Sequence, residues 1–223
     1  MNNKILVIVA HADDEAIGCG GTIARHTAQG DSVELLILAD GVTSRTNSDS
    51  ADLANRQSAT DLAQTVLGIR QATYLGFTDN SLDSVPLLHV VHQIEPVMRR
   101  VEPDIVYTHH VGDLNIDHRI THQATMTACR PLPGQSVKEI YTFEVVSSTE
   151  WNSPFLYPFV PQLFVDITDH LDTKLKALEA YKIEMRPAPH SRSVEHIRAL
   201  AIHRGHSAGV SAAEAFMVMR INR

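Results

Sequence analysis

Two short polar stretches hold the side chains with which this chain can do chemistry. His11-Ala12-Asp13-Asp14-Glu15 directly follows one apolar run, and the ten residues from His109 through His110, Asp113, Asn115 and Asp117 to His118 follow another. A zinc ion that catalyses hydrolysis takes three protein ligands of imidazole or carboxylate type and keeps a position for water. The first stretch offers a histidine, an aspartate and a spare aspartate, and the second offers a further histidine. Adjacent aspartates repel each other unless a cation neutralises one of them. The other then stays free to take a proton from water. Asp13, Asp14 and Glu15 also suit the first turn of a helix, where the macrodipole favours acidic groups, and His118 suits a helix start. Neither explains His11 at a strand end together with so polar a loop.

The elements around these stretches have to bring them together. Ile5–Ala10 is a short, β-branched apolar run of the kind found in a strand buried on both faces. A helix is expected over Glu15–Gln29, a strand over Val33–Ala39, a helix over Asp52–Leu67 and a short strand near Ala72–Leu75. Then come a helix over Leu87–Val101, a strand over Asp104–His109 and a helix over His118–Arg130. This alternation predicts an α/β fold: a Rossmann-like, mostly parallel sheet with helices on both faces. Ligands of such sheets bind outside the carboxyl ends of the strands. Further strands are expected at Ile140–Val146, Phe164–Ile167 and Phe216–Ile221, with helices over Asp169–Met185 and Val194–Arg204. The aromatic-rich stretch Trp151–Pro161 reads as an ordered loop over the active edge. Without repeats or a linker, the 223 residues read as one domain, 1–223.

Composition narrows the field. A net charge of −7 with no run of Lys or Arg disfavours nucleic acid and anionic membranes as partners. The only cysteines, Cys19 and Cys129, form no Cys-x-x-Cys pair and read as buried free thiols. The first apolar run is too short for a signal peptide, and no stretch approaches the roughly 18 apolar residues of a membrane span, so the cytoplasm is the expected compartment. Gly18-x-Gly20-Gly21 lacks the G-x-G-x-x-G spacing of a dinucleotide fingerprint. His122 shares a helical face with His118 but reads as a hydrogen-bonded histidine rather than a second ligand.

His11-Ala12-Asp13-Asp14-Glu15 resembles the AHPDDE signature of the PIG-L/LmbE-like N-acetylglucosaminyl deacetylase family, with Ala12 where Pro is usual. Asn115-Ile116-Asp117-His118 resembles that family's His-x-Asp-His element. The likeness extends to Arg56, to Leu75-Gly76-Phe77-Thr78-Asp79-Asn80, to Pro189-His190-Ser191-Arg192-Ser193 and to Ala213-Glu214-Ala215-Phe216. It implies a zinc-dependent N-deacetylase acting on a small N-acetylated sugar. It also implies one zinc per chain (Fe2+ or another divalent ion standing as alternatives) held by His11, Asp14 and His118. Asp13 would be the general base, and Asp117 would orient a neighbouring catalytic group. Arg56 and Asp79, with Asn80, His190 and Arg192, would face the substrate. The chain departs from the pattern at Asn115, where the family has a histidine that polarises the carbonyl or protonates the leaving amine. An amide can donate to an oxyanion but cannot shuttle a proton. The acid must then be another histidine: His109, His110 or His190. His110 comes first because it shares a loop with Asn115 and His118, while His109 can point into the core.

Three other readings stay open at this level. Two histidines and a carboxylate also serve non-haem iron oxygenases, although these need no base such as Asp13. Another metal-dependent amidohydrolase would use the same groups. A sugar-recognition protein without activity would have Asn115 as its first mark of decay. A homo-oligomer is open as well.

Overall fold

Ile5, Val7 and Val9 pack into one core and Leu6 and Ile8 into a second, and all five are fully buried. A strand with apolar side chains on both faces must be covered on both. In the computed structural model, which describes residues 2–41 and 50–222, this strand is β1 (Lys4–Val9). It pairs in parallel with β2 (Ser32–Ala39) on one side and β4 (Ile105–His109) on the other. β3 (Gln71–Phe77) extends the sheet beyond β2, and β5 (Glu139–Phe143) extends it beyond β4, both in parallel. β7 (Ala213–Ile221) runs antiparallel between β5 and the edge strand β6 (Leu163–Asp166), which completes the order β3-β2-β1-β4-β5-β7-β6. The mostly parallel α/β sheet expected from the sequence is therefore present, with two antiparallel pairings at one edge.

Helices α1 (Asp14–Ala28), α2 (Ser50–Leu67), α5 (Leu171–Ala180) and α6 (Val194–Ala208) cover one face; α3 (Leu87–Val101) and α4 (Ile116–Ala128) cover the other. The chain leaves β1 toward β2 but returns from β3 across β1 to β4. The strand order thus reverses beside β1, and the crevice of such a sheet opens there. No described helix is long and apolar enough to cross a membrane. Cys19 and Cys129 are both free and buried.

The strand expected at Ile140–Val146 stops at Phe143, the helix expected over Val194–Arg204 runs on to Ala208, and two further elements differ. The helix anticipated over Asp169–Met185 is a 3-10 turn at Thr168–His170 followed by α5, which stops at Ala180. Tyr181 N–H bonds back to Leu178 and Glu184 N–H to Tyr181, so the chain tightens into turns there. Those turns carry Tyr181 and Glu184 to the active edge. The last strand begins at Ala213, not Phe216, because Gln162 and β6 supply it with partners from its first residue.

The glycines of α1 have a structural purpose. The helix kinks at Cys19 (φ −145°, ψ 22°). A Cβ on Gly18 would overlap the Phe143 ring, and one on Gly21 would stand 2.6 Å from Ile167 Cδ1. The kink breaks the helical hydrogen-bond ladder, and buried polar groups must find other partners. Lys174 Nζ donates to the Ile17 carbonyl at 2.7 Å, while the Glu214 carboxylate accepts from Gly21 N–H at 3.0 Å and Thr22 N–H at 2.7 Å. Lys174 and Glu214 pair with each other. The kink leaves the first turn of α1, with Asp14 and Glu15, free to take its own direction over the crevice.

Gly18→Ala should therefore overpack the core against Phe143 and cost about 1–3 kcal/mol. A lower urea midpoint at an unchanged m value would show it; a wild-type midpoint would mean that α1 can shift at no cost.

Candidate active site

β1 and β4 are neighbours, so the loops that leave their carboxyl ends meet although their sequences stand about a hundred residues apart. Residues 10–13 turn the chain from β1 into α1 and bring His11 and Asp14 to the crevice. At the other loop Asn115 caps α4: its Oδ1 accepts from Asp117 N–H at 2.8 Å, and its extended backbone starts the helix. His118 follows in the first turn.

The three side chains form a triangle. His118 Nε2 lies 3.3 Å from His11 Nδ1 and 3.3 Å from Asp14 Oδ2, and His11 Nδ1 lies 3.5 Å from Asp14 Oδ2. Ligand atoms held at about 2.0–2.1 Å by a tetrahedral ion stand about 3.3 Å apart, so the edges suit one. Asp14 Oδ1 is buried without a hydrogen-bond partner, and two imidazole nitrogens face each other. Unpaired buried polar atoms are costly, and a divalent cation among these groups relieves both problems. His11, Asp14 and His118 can hold a metal ion.

Each imidazole is backed by carboxylates, the arrangement that fixes ring orientation at metal sites. His11 Nε2 lies 3.1 Å from Asp117 Oδ2 and 3.0 Å from Asp79 Oδ1. Asp117 in turn accepts from Asn80 N–H at 2.8 Å and Leu82 N–H at 2.9 Å. His118 Nδ1 lies 3.2 Å from Asp113 Oδ2. Asp113 also accepts from Thr149 Oγ1 at 2.7 Å, Asn115 N–H at 2.8 Å and the Ser148 hydroxyl. Burial opposes charge on His118, but the Asp14 and Asp113 carboxylates outweigh it and carry its pKa to about 9. Burial likewise opposes charge on Asp113, yet the neighbouring His118 holds it down to about 2.

Asp13 stands beside the triangle, 1% exposed. Its Oδ2 accepts from Arg192 Nη1 at 2.8 Å, and Arg56 Nη2 lies 3.9 Å from Oδ1. Burial raises its pKa; Arg192 and Arg56 pull it down, Asp14 adds to the rise, and the net effect is upward. Asp13 N–H donates to Glu15 Oε2 at 3.1 Å, and Tyr181 donates its hydroxyl to Glu15 Oε1 at 2.7 Å. Burial pushes the Glu15 carboxyl up to about 7.

The other expected site residues are placed as follows. Arg56 donates to Glu184 at 2.7 Å and to the Ala12 carbonyl at 2.9 Å, and lines a cavity of about 170 Å3 with Ala12, Ile37, Ala39, Tyr74 and Gly76. Arg192 reaches Asp13 and Ser147 rather than standing as a plain surface arginine. Asn80 accepts through Oδ1 from Asn115 Nδ2 at 3.1 Å, so both ends of the Asn115 amide are engaged, one as a helix cap. His110 is not brought to the triangle. Its Nε2 donates to the Tyr157 carbonyl at 2.6 Å and its ring meets Phe159 edge-on, because the 151–161 loop packs onto the 109–118 loop. His109 does join the cluster: it stacks on His118 at 3.9 Å, accepts from Ala10 N–H through Nε2, and is driven by burial to a pKa of about 4. His122 bonds to the His109 carbonyl. His190 accepts from Arg192 N–H through Nδ1 and lies edge-on to Trp151. Sequence reasoning did not single out Asp113, Ser148, Thr149, Tyr181 or Glu184. Asp113 had a signal in its polar loop; the others are ordinary residue types that only the fold brings near.

Residues 6–129 match the family model described as PIG-L: GlcNAc-PI de-N-acetylase. The chain is 31% identical over 184 residues to the deacetylase YaiS of Escherichia coli K12, an alignment covering 80% of this chain and 90% of that protein. It is 27% identical to the diacetylchitobiose deacetylase of Thermococcus kodakarensis, covering 95% of this chain and 81% of the relative. The structure of N,N'-diacetylchitobiose deacetylase from Pyrococcus horikoshii superposes with a TM-score of 0.78 at 24% identity, covering 98% of this chain and 84% of that one, a likeness of fold.

A cation entering the triangle must displace the proton that Asp14 and Asp113 hold on His118. Burial opposes charge on His11, but hydrogen bonds to Asp117, Asp14 and Asp79 outweigh it and raise His11 as well. The affinity of the metal-free protein for zinc should therefore rise at least about tenfold per pH unit from pH 7 towards 9. Competition against a chromophoric chelator measures this, and an affinity independent of pH would contradict the coupling.

Proposed function

Because the chain belongs to the PIG-L family of de-N-acetylases, we propose that it is a zinc-dependent hydrolase that removes the N-acetyl group of an amino-sugar or nucleotide-sugar substrate. One observation carries this reading: a buried two-histidine, one-aspartate triangle with a separate carboxylate, Asp13, beside it. The acetylated sugars named for the relatives support the substrate class.

When bound, zinc supplies Lewis-acid polarisation of the amide carbonyl and a water that ionises near neutrality. Asp13 takes the proton from the attacking water. Arg192 and Arg56 offset part of the upward shift that burial and Asp14 impose on this carboxylate, so part of the role expected of both arginines toward substrate is taken up by the base. Asp117 fixes the His11 ring. Asn115 works through Asn80 and the start of α4 rather than as a free oxyanion donor. Arg56, beside its cavity, Asp79 and Asn80 near His11, and Arg192 with the neighbouring His190 are the substrate contacts in this reading. The C–N bond breaks to give acetate and a free amine, and the amine needs a proton. His110 is engaged by Tyr157. His190 lies two residues from Arg192, whose guanidinium reaches Asp13, and takes the acid's role in its place.

The direct test is amine release from a panel of N-acetylated sugars and nucleotide-sugars, with and without chelator. No release from any of them would end the proposal. Asp13→Asn should keep its metal and lose about 10²–10⁴-fold in kcat, the range of general-base catalysis; near-wild-type turnover would remove Asp13 from that role. His190→Ala should shift or abolish the alkaline limb of the pH–rate profile while His110→Ala leaves it in place. The opposite pattern would return the acid to His110.

A further inference from the structure

The backbone of Asp13 adopts a conformation that its residue type resists. With φ 119° and ψ −26° it lies in the left-handed region, at a cost of about 1–3 kcal/mol for a residue other than glycine. Such a conformation persists only where its surroundings over-determine it. The Asp13 carbonyl accepts from Ile17 N–H at 2.9 Å and its side chain is held by Arg192. Its N–H has a less ordinary partner, the Glu15 carboxylate two residues on.

Glu15 has no place in the ligand triangle. It is fully buried, and among the described residues it makes no ion pair. A buried carboxylate without a cation is expensive, so its hydrogen bonds have to account for it. They run to Asp13 N–H on one oxygen and to the Tyr181 hydroxyl on the other. Tyr181 is itself 2% exposed and sits where α5 ends in turns. The same turns bring Glu184 to Arg56, the second arginine beside Asp13.

We propose that Glu15 and Tyr181 are positioning residues for the base: Tyr181 fixes the Glu15 carboxylate, which fixes Asp13 N–H and so aims the Asp13 carboxylate at the water. This inference rests on Asp13 as the base. Displacement of a catalytic group by a fraction of an ångström to 1 Å costs up to about 10²-fold, and loss of one tether should cost less.

A double-mutant cycle on kcat tests it. Tyr181→Phe removes one oxygen and should lower kcat about tenfold, with KM within about twofold and metal content unchanged. In an Asp13→Asn background the same change should have no further effect, because the group it aims is already disabled. Glu15→Leu should lose at least as much as Tyr181→Phe, while Glu15→Gln, which keeps an oxygen for Asp13 N–H and an amide for the Tyr181 oxygen, should recover most of it. Wild-type kcat in Tyr181→Phe, its full penalty persisting beside Asp13→Asn, or Gln behaving like Leu at position 15 would each overturn the inference. A fully active Asp13→Asn would instead refute the base assignment itself, so the two failures are distinct.

Discussion

Asp13, Asp14, Glu15, Asp79, Asp113 and Asp117 are each at most 5% exposed, and all gather at the carboxyl edge of β1, β3 and β4. Six buried acids would unfold the crevice if left uncompensated, since each charged carboxylate costs several kcal/mol to dehydrate. Every other feature of the site answers that demand. Asp14 and Glu15 lie in the first turn of α1 and Asp117 in the first turn of α4, where the helix dipole favours negative charge. His11 and His118 each lie between carboxylates, Arg192 and Arg56 face Asp13, and the triangle around Asp14 can hold a divalent cation.

The strand order explains why the acids can be gathered at all. Reversal beside β1 opens the sheet where two helix N-termini approach from opposite faces. The Cys19 kink lets the first turn of α1 incline independently of its remainder, held by Lys174 and Glu214.

Much of this was legible in the sequence because it is written in local patterns. Ile5–Val9 declares a doubly covered strand, and two polar loops at strand ends declare the buried histidine–aspartate cluster. The α3 limits follow from hydrophobic periodicity, which Leu87–Val101 displays strongly. What could not be read depends on contacts between distant residues. Nothing around Tyr181 says that its hydroxyl meets Glu15, 166 positions away. Asp169–Met185 has the composition of one long helix, and only tertiary partners for Glu184 and Tyr181 end it early. His110 and His190 are alike as residue types; the loop carrying Tyr157 is what separates them.

The arrangement of the site along the chain also bears on how it comes into being. His11, Asp14 and His118 all lie within the first 118 residues, whereas Arg192 follows about seventy residues later. A ribosome adding about 5–20 residues per second therefore delivers this triangle seconds before the arginine that pairs with Asp13. In the nascent chain the groups that can hold a cation are complete before the partner of the proposed base exists, so the two halves of the site are assembled in sequence.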